Sequence, residues 1–220
     1  MKPSFYDLSF SDVESVLRQN DLNDSAASVL FNWHYKKKEK AQCTTNIAKD
    51  SLAFFQDHFD FALPEITTVQ ESNKDRTVKF LFTLKDGHKI ETVLIPFHKK
   101  YSICLSSQVG CAMNCSFCFT GKQGLKRNLT TSEIVGQFLQ AWRWLAQHRS
   151  GEERILNIVF MGQGEPLHNF NAVKKACEIF LSQHGTSIGF QKITISTAGY
   201  LPGLKRWSRE IPGVNLALSL

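Results

Sequence analysis

The chain has 220 residues, 42% of them hydrophobic and 21% charged, with 26 Lys and Arg against 20 Asp and Glu for a net charge of +6. That composition excludes a disordered or low-complexity chain and supports a buried core in one large domain or two small ones. Apolar runs such as residues 155–161 fall far short of the ~20 residues of a membrane span, and the opening M-K-P-S-F-Y-D-L lacks an apolar signal core, so a cytoplasmic protein with no membrane partner is expected.

In chain order, Ser11-x-x-Glu14 reads as a capping box opening a short helix through Gln19, and Ser25 to Lys36 carries Ala27, Leu30, Phe31 and His34 at helical spacing. Phe31, Trp33, Tyr35, Phe54, Phe55, Phe59 and Phe61 make this region dense in aromatics, expected mainly as core, with stacking on RNA bases the second use of one or two of them. The run Lys36-Lys37-Lys38 with Lys40 reads first as a solvated helix end and second as a phosphate contact. Alternation over 77–84 and 89–95, joined through Asp86-Gly87, predicts a β-hairpin with a type I′ turn, and Glu91 lies on it.

Composition then changes. Residues 1–100 hold 14 basic and 14 acidic residues, residues 101–220 hold 12 and 6, and 12 of the 13 glycines lie beyond residue 100. A boundary near Phe97 to Lys100 follows, with 1–98 as a helical unit plus hairpin and 99–220 as a second unit. The basic second unit suits a polyanionic substrate, although a charge of this size discriminates little.

Beyond the boundary the rhythm is strand, loop, helix. Tyr101 to Ser107 reads as a strand, a cysteine-bearing loop follows, and Thr130-x-x-Glu133 caps a long helix to about Arg149. Residues 155–161 form the near-continuous apolar run of a buried parallel strand, then come Gly162 to Pro166 and a helix from about Asn171 to Gln183. Two more strands are expected at 192–196 and 214–220. Repeated β-loop-α units with ligand residues after the strand ends describe an α/β fold, a parallel barrel or open sheet.

Cys111, Cys115 and Cys118 stand in C-A-M-N-C-S-F-C, a C-x3-C-x2-C spacing that brings three thiolates to one metal centre. A 4Fe-4S cluster held by three cysteines keeps one iron open for a ligand. Structural zinc needs a fourth donor, such as Cys104 or a histidine. Cys43 and Cys177 read as ordinary buried thiols.

Several strings now occur in order: D-G-H-K-I-E-T-V-L-I-P (86–96), S-S-Q-V-G-C-A-M-N-C-S-F-C-F-T-G-K-Q-G-L-K-R-N-L, M-G-Q-G-E-P-L-H-N-F-N (161–171), I-T-I-S-T-A-G (193–199) and N-L-A-L-S-L. The chain resembles the RlmN/Cfr family of radical S-adenosylmethionine RNA methyltransferases over nearly its whole length. The resemblance implies an incomplete radical-SAM-type parallel (β/α) barrel behind a small α+β N-terminal unit, with 99–220 as the N-terminal part of the barrel. It implies a 4Fe-4S cluster on Cys111, Cys115 and Cys118, and S-adenosyl-L-methionine held by Gly164, Glu165, Ser196, Ser219 and Leu220. The glycine pair of G-Q-G-E-P is expected to admit the cofactor closely, with Glu165 meeting its amine, and Gln163 stands where most relatives have Met.

By the same resemblance Glu91 is a proton acceptor, and Cys104 is the thiol that attacks the protein-RNA adduct and leaves a transient disulfide. Bland readings of the two are an exposed hairpin carboxylate and a buried strand cysteine. The substrate implied is an adenosine base in rRNA, with tRNA as a second substrate, and the partners are an electron donor such as flavodoxin or ferredoxin, with the enzyme a monomer. Relatives continue past the point where this chain stops and supply a methyl-carrying cysteine there, so turnover is expected to need that segment. Two other readings stay open: a radical S-adenosylmethionine enzyme with a non-RNA substrate, and a non-catalytic, zinc-stabilised RNA-binding module.

Overall fold

The computed structural model describes residues 2–36, 49–98, 100–149, 151, 154–211 and 213–219. Cys43 and the lysines of 37–40 lie outside them. After a 3-10 turn (Phe5–Asp7) the helices α1 (Phe10–Gln19), α2 (Ala26–Lys36) and α3 (Lys49–His58) lead into strands β1 (Glu65–Glu71), β2 (Val78–Thr83), β3 (Lys89–Phe97) and β4 (Lys100–Cys104). The second part runs β5 (Gln108–Val109), α4 (Phe119–Lys122), β6 (Arg127–Asn128), α5 (Thr131–His148), β7 (Ile155–Phe160), α6 (Phe170–Leu181), β8 (Ile193–Thr197), α7 (Leu201–Glu210) and β9 (Asn215–Leu218). Among the described residues no helix is long and apolar enough to cross a membrane.

The first helix is capped two residues earlier than expected. Ser9 accepts from the Asp12 amide and Asp12 accepts from the Ser9 amide, a complete box built on Ser9 instead of Ser11. The earlier start puts Phe10 in the helix, where it meets Phe31 edge-on at 5.4 Å and stacks on His184 at 4.3 Å. The core reading of the aromatics holds for Phe31, Tyr35 and Phe55, all fully buried.

The expected hairpin forms between β2 and β3, with Val78 opposite Leu94 and Thr83 opposite Lys89, but its turn is not type I′. A type I′ turn needs positive φ at both central residues. Here Gly87 alone has it, at φ 82°, and its amide donates to the Leu84 carbonyl at 2.9 Å while the Leu84 amide donates to His88. This is the longer loop with glycine in the left-handed position.

Seven strands make one sheet in the order β1-β2-β3-β4-β7-β8-β9, antiparallel from β1 to β4 and parallel from β4 to β9. The compositional change near 97–100 coincides with the tight turn from β3 to β4, where Phe97 faces Lys100, so the sheet passes through it unbroken. Burial alternates along the strands: Val78, Phe80, Phe82, Ile90, Leu94, Tyr101, Ile103, Ile158, Ile193 and Ile195 join the helices in a single core. Residues such as Glu91, Cys104, Asn157 and Ser196 alternate with them on the opposite, accessible face. Edge strand β9 is largely exposed.

Candidate functional site

Every parallel strand delivers its C-terminal end to one rim, and the loops leaving that rim carry the motif residues. The loop after β4 zips onto the loop after β7. The Gly162 amide donates to Leu105 O at 3.1 Å, and the Ser107 and Gln108 amides donate to Gln163 O at 2.8 and 3.1 Å. The short ladder β5–β6, Gln108 opposite Asn128 and Val109 opposite Arg127, then closes the base of the cysteine loop between them.

The glycines of G-Q-G serve this packing. A Cβ on Gly162 would lie 2.8 Å from Leu105 backbone atoms, and one on Gly164, at φ 101°, would lie 2.5 Å from Gln108 Cβ. Glu165 is also used internally. It is 3% exposed, and its two oxygens accept from the Leu167 amide at 3.0 Å and the Ala198 amide at 2.8 Å, tying the loop after β7 to the loop after β8. A carboxylate has further lone pairs beyond these two bonds.

On the cysteine loop Cys111 is buried, and Cys115 and Cys118 are half-buried. Burial pushes the Cys111 thiol up; the Met113 amide, donated to its sulfur at 3.5 Å, opposes this, while the nearby Glu165, Cys118 and Cys115 add to it electrostatically. The three thiols and Glu165 thus share one electrostatic neighbourhood. Among the described residues no three His, Cys, Asp or Glu side chains are already gathered as metal ligands, and all five described cysteines are free thiols. Beside the thiols Phe117 and Phe119 are 84% and 77% exposed.

Ser196 and Ser219 meet at the ends of β8 and β9 with hydroxyl oxygens 3.3 Å apart. Leu220 lies outside the described residues. Val93 of β3 pairs with Cys104 of β4, which puts Glu91, two residues from Val93, diagonally across from Cys104 on the same face. Cys104 is half-buried, and burial pushes its thiol up against the opposing hydrogen bond from the Met161 amide. Glu91 pairs with Lys79 Nζ of β2 at 3.1 Å, a partner set by the hairpin register.

Two more residues of the site escaped sequence reasoning. Arg127, at the exit of the cysteine loop, forks onto both oxygens of Glu133 at 2.8 Å and reaches Asp86 at the hairpin tip at 2.5 Å, holding the Asp86 carboxyl down at about 2. Gln108 is fully buried at the loop's entrance. A basic residue ending a Cys-rich loop, and a polar residue between an apolar strand and Gly-Cys, were the only sequence signals.

Residues 105–216 match the Radical SAM superfamily. The chain is 43% identical over 198 residues to the probable dual-specificity RNA methyltransferase RlmN of Aquifex aeolicus, covering 88% of this chain and 55% of that protein. It is 40% identical over 220 residues to the dual-specificity RNA methyltransferase RlmN of Pelobacter propionicus, covering 100% of this chain and 61% of that protein. A crystal structure of a radical SAM methyltransferase from Sphaerobacter thermophilus superposes with a TM-score of 0.88 at 34% identity, over 99% of this chain and 63% of that one. The chain thus spans little more than half the length of these relatives.

Proposed function

Because the chain belongs to the radical SAM superfamily, we propose that it carries the cofactor site of an RNA methyltransferase that modifies an adenosine base in rRNA, with tRNA as a second substrate. One observation carries this reading: three thiols, Glu165 and the paired serines all stand at one rim of the parallel strands. Similarity to proteins named dual-specificity RNA methyltransferases supports RNA as the substrate class.

The donor set fits the implied groups. Three soft thiolates on one loop suit an iron-sulfur cluster better than a closed zinc site, since no histidine stands among them. In the loop beside them Gln163 Oε1 is buried with no hydrogen-bond partner among the described residues, leaving an acceptor for a ligand donor. Cys111, Cys115 and Cys118 would hold a 4Fe-4S cluster, and Gly164, Glu165, Ser196 and Ser219, with Leu220, would line the place of S-adenosyl-L-methionine. When bound, these groups would supply the one-electron chemistry that a methyl transfer to an unactivated adenine carbon requires.

The chain's own residues have simpler tasks. The loop after β7 fixes the cofactor's neighbourhood through Glu165, and the serine hydroxyls offer hydrogen bonds on the accessible face. Glu91, kept beside Lys79, accepts a proton from the substrate side. Cys104, as a thiolate, would attack the sulfur of the methyl-carrying cysteine in the protein-RNA adduct: the S–S bond forms as that sulfur's bond to the methylene carbon breaks, the electron pair passes to the adenine side and a proton completes the methyl group. Because burial disfavours the ionised form of Cys104, its thiol must first lose its proton to a nearby base. Residues 1–98 contribute RNA contact, an electron donor such as flavodoxin or ferredoxin supplies the electron, and the protein works as a cytoplasmic monomer.

Anaerobic reconstitution with iron and sulfide tests the reading. The chain should take up close to four irons, about one per cluster position, and bind S-adenosylmethionine, while Cys115→Ala should lose both. Stoichiometric zinc without iron uptake, colourless in visible absorption, would instead support the zinc-stabilised module.

A further inference from the structure

We propose that Gln108 is a positioning residue that joins the base of the cysteine loop to the cofactor loop, so that the two halves of the site hold one geometry. The inference rests on the function proposed above. Gln108 opens β5 and is fully buried. Its Oε1 accepts from the Glu165 amide at 2.8 Å, and its Nε2 donates to Asn128 Oδ1 at 2.7 Å and to His168 Nδ1 at 3.2 Å. The orientation of the amide is fixed, because the Glu165 N–H is only a donor and must face the oxygen. His168 Nδ1 is therefore an acceptor and its ring proton sits on Nε2.

The three partners belong to three different parts of the site. Asn128 is on β6, where the cysteine loop returns to the body of the protein. Glu165 reaches onward to the loop after β8 through Ala198 and bears electrostatically on Cys111. His168 meets Tyr200, the residue before α7, edge-on at 4.9 Å. Gly164 leaves room for this arrangement, since a Cβ there would overlap Gln108.

A purely structural role would already be served by the Gln108 backbone, whose amide holds Gln163 O at 3.1 Å. The side chain adds a link from the Glu165 amide to Asn128 at the exit of the cysteine loop, beside the one that Asn169 Nδ2 makes to Ser107 O and Leu129 O at 2.8 Å. Moving either loop stretches a hydrogen bond that the other loop relies on. In a buried site a lost bond also leaves its partner unsatisfied.

Gln108→Met keeps the length of the side chain and removes all three bonds, and Asn128→Ala, at an exposed position, cuts only the link. In the metal-free chain, Gln108→Met should speed hydrogen exchange of the Glu165 amide and of residues 110–126 about tenfold, with α5 and α6 unchanged. In the reconstituted chain both variants should keep the parent's iron content and weaken S-adenosylmethionine binding, Gln108→Met by about tenfold. The double variant should bind no more weakly than Gln108→Met alone, because both changes cut one connection.

Affinities within twofold of the parent together with unchanged exchange would overturn the proposal, as would fully additive losses. If Gln108→Met does not fold, Asn128→Ala decides, and parental cofactor affinity in that variant overturns it. A parent chain that binds neither iron nor S-adenosylmethionine refutes the methyltransferase reading instead, and exchange in the metal-free chain then decides the coupling by itself.

Discussion

Replacing Glu165 by Gln separates a carboxylate kept for the fold from one kept for a ligand. Both oxygens of this buried side chain accept backbone amides, from Leu167 and from Ala198. In Glu165→Gln one oxygen becomes NH2, and either orientation sets a donor against a donor. One hydrogen bond to a charged group, worth about 1.5–3 kcal/mol, is lost, and the opposed amide is left without an acceptor at about 1–3 kcal/mol more. Local relaxation recovers part of that sum, so a net loss of about 2–4 kcal/mol is expected. For a chain of this length each kcal/mol lowers Tm by about 2–4 °C, so a fall of about 6–12 °C should accompany the middle of that range. Urea unfolding of the metal-free chain followed by circular dichroism measures it directly. A loss under about 0.5 kcal/mol, the size of an ordinary surface change, would refute the argument and leave the carboxylate to the ligand alone.

Gly164→Ala should cost about 2–4 kcal/mol, since the left-handed φ of 101° and overlap with Gln108 act together, whereas Gly87→Ala, at φ 82° with nothing near a new Cβ, should cost only about 1–2 kcal/mol; equal midpoints in urea would show that the loop contact is slack. His34 supplies a pH test: burial first and the Arg143 charge second hold its imidazole down at about 4, so the folded state resists a proton that the unfolded chain takes up near 6.5. Stability should fall as pH drops from 6.5 to 4, by at most about 3 kcal/mol, and level off below. His34→Gln should flatten that slope, and an unchanged slope in the variant would assign it to other groups.

The parts legible in the sequence are those set by local rules. The box Thr130–Glu133 and helix α5 formed as expected because caps and a 3.6-residue period act within a few residues. The apolar runs of β7 and β8 were legible for the same reason. Strand β1 was missed: Glu65–Glu71 is polar and almost wholly exposed, and only pairing with β2 makes it a strand. Helix α7 was missed because L-P-G reads as a turn, whereas Gly203 is there to let Leu167 approach, a Cβ lying 2.6 Å from the Leu167 Cβ. At the N-terminus, S-F-S-D-V-E offers two overlapping boxes, and the contacts of Phe10 with Phe31 and His184 select the earlier one, which no local rule could do.

The site residues fall into two classes that the motifs alone do not separate. Gly162, Gly164, Glu165 and Gln108 are committed to one another, so their identities follow from packing as much as from any ligand. Ser196 and Ser219 differ: among the described residues their hydroxyls hydrogen-bond to each other, at 3.3 Å, on a face the helices do not cover. A hydroxyl that leaves no buried partner behind costs little to remove. Ser196→Ala combined with Ser219→Ala should therefore leave the metal-free chain within about 0.5 kcal/mol of the parent. The same pair should weaken S-adenosylmethionine binding to the reconstituted chain by about tenfold, the worth of one or two hydrogen bonds. Equilibrium dialysis and urea unfolding on one preparation give both numbers. Lost stability with parental affinity would reverse the assignment and make the serine pair a clasp between β8 and β9.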